Sequence, residues 1–285
     1  MNFRALPSQL HETGERIARY FEEERGLSRF KIEESVGGEI EYRPTLQTLT
    51  REFHDVWIEV SELPYLRSLD TVVLHCVTNT VPVKLYVAFP AGTATTEYKT
   101  LIDDARRKGV GVIEVTDAAC HVIHEAPPLS LIGVRKEAHK AFPPRYRSVL
   151  STAEETFRLG DPAKGCSLIY DEIENLSRRI AKKIHARNLW KTNPKGPPKI
   201  KFDTAPWDTI MDHLLNHVQA GALPPYMNKA LLIRVTAMIE ARNAAGHKPR
   251  NRKDRLRRDR ELRTRYETAV DVLRDFTAAA RPLRV

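Results

Sequence analysis

Apolar positions change their period partway along the chain. From residue 144 onward they recur at three- and four-residue steps, the spacing of helices with one buried face. The pattern predicts a helix from Pro144 to Phe157, ended by Gly160. Asp161-Pro162 then starts a long helix over about 163–188, with Leu168, Ile169, Ile173, Leu176, Ile180 and Ile184 along one face. A Pro- and Lys-rich loop, Trp190 to Lys201, precedes a helix over Pro206–Gln219, which Gly221 closes. Two more helices follow, Met227–Ala245 and Asp254–Ala280, the last basic at its start and apolar at its end. Five helices in this order predict an all-α bundle.

Before residue 126 short apolar runs alternate with helical stretches. A helix over Ser8–Glu24 leads to a pair of strands, about Phe30–Glu34 and Glu39–Pro44. Asp55–Val60 follows as a central strand, then a helix Tyr65–Asn79, a strand Val83–Phe89, a helix Thr96–Lys108 and a strand Val110–Val115. This alternation predicts a sheet with flanking helices. Pro127-Pro128 and Pro143-Pro144 bracket the change of pattern. The expectation is an α+β chain of two domains: 1–126 an α/β sheet domain, 127–143 a linker, 144–285 a helical domain.

Charge sharpens the division. The 285 residues carry a net charge of +9, yet residues 1–140 hold 17 Lys/Arg against 21 Asp/Glu, and all the positive excess lies beyond them. It gathers in two runs, Arg178–Lys201 and Lys248–Arg265, so the second half is suited to a polyanion. A solvated helix face is the plainer account of either run. With 41% hydrophobic residues the chain is not disordered. It has no apolar stretch of membrane-spanning length and no secretory signal, so a cytoplasmic location without membrane partners is expected. Cys76, Cys120 and Cys166 are scattered and form neither a disulfide framework nor a metal-ligand pair.

The most informative short stretch is Arg242-Asn243-Ala244-Ala245-Gly246-His247. A guanidinium can grip a phosphodiester through paired hydrogen bonds, and an imidazole can move a proton near neutral pH. Residues five apart on a continuous helix are separated by about 140°, so the two share a face only if the helix ends between them. Gly246 and Pro249 supply that end. Asn243 adds an amide that could orient the imidazole or bind phosphate. Lys248, Arg250, Arg252, Lys253, Arg257 and Arg258 follow as candidate nucleic-acid contacts. Glu172 and Glu174 on the long helix are candidates for orienting the catalytic pair.

The Arg-Asn-x-x-x-His motif at a helix end, in five helices of this length, resembles the HEPN family of small helical RNA-binding and RNA-cleaving domains. The stretch Leu150–Pro162 resembles that family's opening helices, and the likeness covers roughly residues 146–282. It implies a metal-independent endoribonuclease acting as a homodimer, of the toxin or anti-phage effector kind, with an antitoxin or defence-system partner. Members that have lost activity serve as binding modules, so the family alone does not settle function.

The order of elements over residues 8–118 resembles the PD-(D/E)xK nuclease-like fold. That family needs a carboxylate after a proline on one strand and Glu-x-Lys on the next. Here Thr45 follows Pro44, Glu59 stands in place, and Ser61 occupies the lysine position. One ligand is too few for a hard divalent cation. The resemblance implies a degenerate scaffold in which Glu59 is vestigial; Glu41 and Glu62 are the only neighbours that could replace the missing ligands. His213 and His217, four apart on a helix, and the group Cys120, His121 and His124 are read as structural. No metal and no cofactor is expected.

The function expected is cleavage of RNA by 2′-hydroxyl attack, with Arg242, Asn243 and His247 at the site. Two alternatives stay open: a non-catalytic nucleic-acid or protein-interaction module, and a metal-dependent DNA nuclease with relocated ligands in the first half.

Overall fold

The computed structural model describes residues 1–37, 40–92, 96–132, 142–191, 200–243 and 249–284. The chain is α+β and divides into two compact units. One comprises 1–134 with 158–160 and 248–261; the other comprises 135–157, 161–247 and 262–285. The sequence reading placed residues 248–261 with the helical half; in the structure they count with the sheet. Among the described residues no helix is long and apolar enough to cross a membrane.

The sheet unit holds six strands in sequential order: β1 (Lys31–Ile32), β2 (Leu46–Leu49), β3 (Asp55–Val60), β4 (Val83–Pro90), β5 (Gly111–Val115) and β6 (Cys120–His124). β1–β2–β3 and β5–β6 pair antiparallel, whereas β3–β4 and β4–β5 are parallel. The parallel steps are made by the helices α2 (Leu69–Thr78) and α3 (Thr96–Lys108), as crossovers of this kind require. Two expectations are corrected. The second strand is Leu46–Leu49, which pairs with β3 from Leu46↔Ile58 to Leu49↔Asp55; of the expected strand, residues 40–44 form no strand and Glu39 lies outside the described residues. The sheet also gains β6, which reading by alternation missed because its burial alternates only between half-buried and exposed.

Side-chain alternation divides the sheet's two faces. Val56, Ile58, Val60, Tyr86, Ala88 and Ile113 pack against Ile17, Ala18 and Phe21 of α1 (His11–Glu23). Trp57, Val83, Leu85, Val87, Phe89 and Val112 pack against Leu69, Val72, Val73 and Cys76 of α2, Ala105 of α3 and Leu129 of α4 (Leu129–Ile132). Both faces are covered, so the central strands read as continuous apolar runs.

The helical unit carries α5 (Pro144–Arg158), α6 (Pro162–Ala186), α7 (Trp207–Asn216), α8 (Lys229–Asn243) and most of α9 (Arg252–Ala280). Asp161 caps α6 by accepting from the Lys164 backbone N–H at 3.1 Å, with Pro162 in the first turn. Ile169, Ile173, Leu176, Ile180 and Ile184 are all fully buried. Gly165 lets α6 approach α5 closely: a Cβ there would meet the Ala153 carbonyl oxygen at 2.8 Å and the Phe157 Cβ at 2.8 Å. Trp207 of α7 donates to Ser177 Oγ at 3.2 Å, and Ser177 donates to the Ile173 carbonyl at 2.9 Å, so these buried polar groups are satisfied.

Candidate functional site

Arg242 stands in the last turn of α8, which packs against α6 and α7. Its guanidinium meets two carboxylates of α6: Nη1 lies 2.5 Å from Glu174 Oε2, and Nη2 lies 3.1 Å from Asp171 Oδ1. Asp171, Glu174 and Arg178 are three and four residues apart and so share one helix face. Arg178 also pairs with Glu174, and it donates to the carbonyls of Phe202 and Ala205 at 2.8 and 2.9 Å. Burial works against the charge on Glu174, but hydrogen bonds from Arg178 and Arg242 outweigh it and hold the carboxyl below its ordinary range. Glu174 is therefore a fixed anion at neutral pH. Arg242 keeps 40% of its side chain exposed, so a cation is held in place yet remains open to an incoming anion.

Asn243 is the last residue of α8; its side chain, His247 and Lys248 lie outside the described residues. Glu174 meets Arg242 directly. Asp171, which also meets it, was not singled out in the sequence; its signal was the i, i+3 spacing with Glu174.

The basic stretch is partly engaged by neighbouring acids. Arg252 pairs with Asp55 at 2.5 Å, and Arg257 pairs with Asp254 at 2.6 Å and with Glu261 at 3.8 Å. Asp254 accepts from the Arg250 backbone N–H at 3.0 Å and helps cap α9. Lys253 is exposed and Arg258 half-buried. Four buried polar residues of the sheet unit form a network that the sequence reading missed. Asp259, fully buried, accepts from Ser130 Oγ at 2.6 Å, lies 3.0 Å from Arg255 Nε and lies 3.9 Å from His54 Nε2. Burial, with Arg255 and Lys84 nearby, pulls the His54 pKa down to about 2, so the imidazole is neutral. Arg255 and Asp259 belong to the basic run Lys248–Arg265 that the sequence offers to a polyanion, and here both are buried.

In the sheet unit Thr45 on β2's edge stands opposite Glu59 on β3. Thr45 Oγ1 accepts from the Val60 backbone N–H at 3.0 Å, next to Glu59, and Ser61 follows on the same strand end. Tyr42 donates to Glu59 at 2.9 Å. Burial, opposed by hydrogen bonds from Tyr42 and the Thr45 backbone, raises the Glu59 pKa to about 7. Thr45 and Ser61 are buried hydroxyls, poor ligands for a hard cation in place of carboxylate and lysine. His213 is held by the Thr209 carbonyl at 2.9 Å and packs on His217 at 4.8 Å between ring centres. Among the described residues no group of three or more His, Cys, Asp or Glu side chains is arranged to hold a metal ion.

No family model, curated protein or solved structure matches the chain.

Proposed function

We propose that the chain is a metal-independent endoribonuclease whose site is built on Arg242, Asn243 and His247. The observation that carries this reading is the solvent-open guanidinium of Arg242, held by Asp171 and Glu174 at the end of α8, five residues before His247. In this reaction the ribose 2′-oxygen forms a bond to phosphorus and the bond to the 5′-oxygen breaks, leaving a 2′,3′-cyclic phosphate. A base takes the 2′-hydroxyl proton, an acid returns one to the departing 5′-oxygen, and Arg242 neutralises charge on the phosphoryl oxygens. His247 fills one of the two proton-transfer roles. A homodimer, with two-fold symmetry joining two Arg/His pairs, supplies the other. Arg250, Lys253, Arg257 and Arg258 add sequence-independent attraction for the strand. An intracellular effector of the toxin or defence type accords with this chemistry.

The test is incubation with mixed RNA in EDTA, with analysis of product termini. Cyclic phosphate ends are expected, and their loss in His247→Ala. Mixing His247→Ala with Arg242→Ala subunits should restore part of the activity. Undiminished cleavage by His247→Ala removes that residue from the mechanism. A second reading, a nucleic-acid-binding module without cleavage, is favoured by the two carboxylates that already neutralise Arg242; binding without any cut product would support it.

A further inference from the structure

β4 reads Val-Lys-Leu-Tyr-Val-Ala-Phe-Pro, a central strand apolar at every position but Lys84. Lys84 pairs in register with Val56 of β3 and shares with Val56 and Tyr86 the face that α1 covers. That helix stops at Glu23, and the chain turns away through Gly26 in the left-handed region (φ 62°). The end of the sheet face is thus left open as a cavity of about 290 Å3, with Phe21, Leu27, Val56 and Tyr86 as apolar walls. Ligand sites of small molecules begin near this size, at roughly 300 Å3.

The cavity's charges are unevenly engaged. Glu125 is bonded to Arg25 and accepts from Tyr86 at 2.8 Å, and Glu52 lies 4.0 Å from Arg255. Lys84, half-buried, makes no hydrogen bond or ion pair with any described residue, and neither does Arg51. His54 Nε2 is buried on the same wall without a hydrogen-bond partner. A half-buried cation without a partner is costly, so a central strand carries one at a cost unless an anion arrives. Burial, against the pull of Glu125 and Glu52, already holds the Lys84 ammonium below the ordinary lysine range.

A second cavity of about 660 Å3 shares Gly26, Leu27, Thr50 and Arg51 with the first. It adds Arg29, Lys31 and Arg252, with Asp55 as its one acid, already paired to Arg252. The two cavities are separated by the Thr50–His54 turn, which two backbone bonds fix: Thr50 N–H to the His54 carbonyl at 2.8 Å and Phe53 N–H to the Thr50 carbonyl at 3.0 Å.

We infer that the sheet unit binds a phosphate-bearing small molecule of nucleotide size, its phosphate held by Lys84 and Arg51 and its body extending past the Thr50–His54 turn into the second cavity. The Lys84 end of the site is separate from the Glu59 position, which lies three residues beyond Val56 along β3 on the opposite face of the sheet. It is also independent of Arg242. The plainer account is a lysine whose stem packs on the sheet while its ammonium reaches water; it requires no ligand.

The two accounts separate by calorimetry on the full chain with adenosine 5′-monophosphate, inorganic phosphate and adenosine. The nucleotide should bind and adenosine should not; inorganic phosphate binding as tightly would assign the site to free phosphate. Lys84→Met should weaken binding by at least about tenfold without lowering the melting temperature of the ligand-free protein. Arg51→Gln, on an exposed turn, should weaken it several-fold, and Arg242→Ala should leave it unchanged. Should Lys84→Met not fold, ligand protection of Lys84 against an amine-modifying reagent in the unaltered chain decides the matter. Binding no tighter than about 1 mM by either phosphate compound, full affinity in Lys84→Met, or no protection of Lys84 overturns the inference.

Discussion

Arg242 and Glu59 each anchor a resemblance read in the sequence, and the two units treat them in opposite ways. The helical unit gives Arg242 two carboxylates and leaves it partly open to solvent, so the guanidinium is held where an anion can reach it. The sheet unit half-buries Glu59 against Tyr42, which shifts its carboxyl up to a pKa of about 7. A held cation suits a phosphodiester that carries its own charge. A lone half-buried carboxyl cannot retain a divalent metal. The comparison teaches that the residue type matters less than the surroundings that set how it is paired and exposed.

The sharpest way to break this comparison is activity. Arg242→Ala should lower RNA cleavage about 100- to 1000-fold, whereas Glu59→Gln should leave it unchanged in EDTA and in magnesium alike. Loss in Glu59→Gln, or gain with magnesium, would move the chemistry to the sheet. The next largest effect is on stability. Asp259→Ala strands Arg255 in the interior and should cost about 3–5 kcal/mol in urea denaturation; a loss below about 1 kcal/mol would mean that the network is effectively solvated. In the helical unit Gly165→Ala drives a methyl into Ala153 and Phe157, and should cost about 1–3 kcal/mol in the same measurement. No loss would show that α5 and α6 part freely.

The smallest net effect is that of pH. Glu59 has its folded pKa raised from 4.5 to about 7, so its contribution is full below pH 4.5 and is lost as pH rises through 7. His54 has its folded pKa lowered from 6.5 to about 2, so its contribution is full above pH 6.5 and is lost as pH falls. Between pH 4.5 and 6.5 the two slopes oppose, and the melting temperature should be nearly flat. Glu59→Gln should unmask the His54 slope, with stability climbing as pH rises. A flat profile in that variant would contradict the burial argument for His54.

Much of this was legible in advance where one physical rule acted alone. β3 was expected at Asp55–Val60 and α3 at Thr96–Lys108, as they stand, because a doubly covered strand reads as a short apolar run and an amphipathic helix as a period of three to four residues. β2 was displaced because Leu-Gln-Thr-Leu is short and half polar; its pairing with β3, not its own pattern, makes it a strand. The Asp161 cap could be anticipated from the Asp-Pro pair, whereas Glu174 was one of two candidates on the long helix and its contact with Arg242, 68 residues away, is set by helix packing. Asp259, Arg255 and His54 could not, since a charge run gives no sign of which members face inward. Lys84 did leave a sign, as the one charge in an apolar strand, and it was read as strand and nothing more.

Residues 248–261 complete the sheet unit's interior, supplying the Arg255 and Asp259 that Ser130 and His54 await. Between them and β6 lie most of the helices, so this closure is among the least local in the chain. During synthesis the sheet emerges early but stays unfinished until that late segment appears. A ribosome that stalls before it leaves a half-built interior, marked for proteolysis.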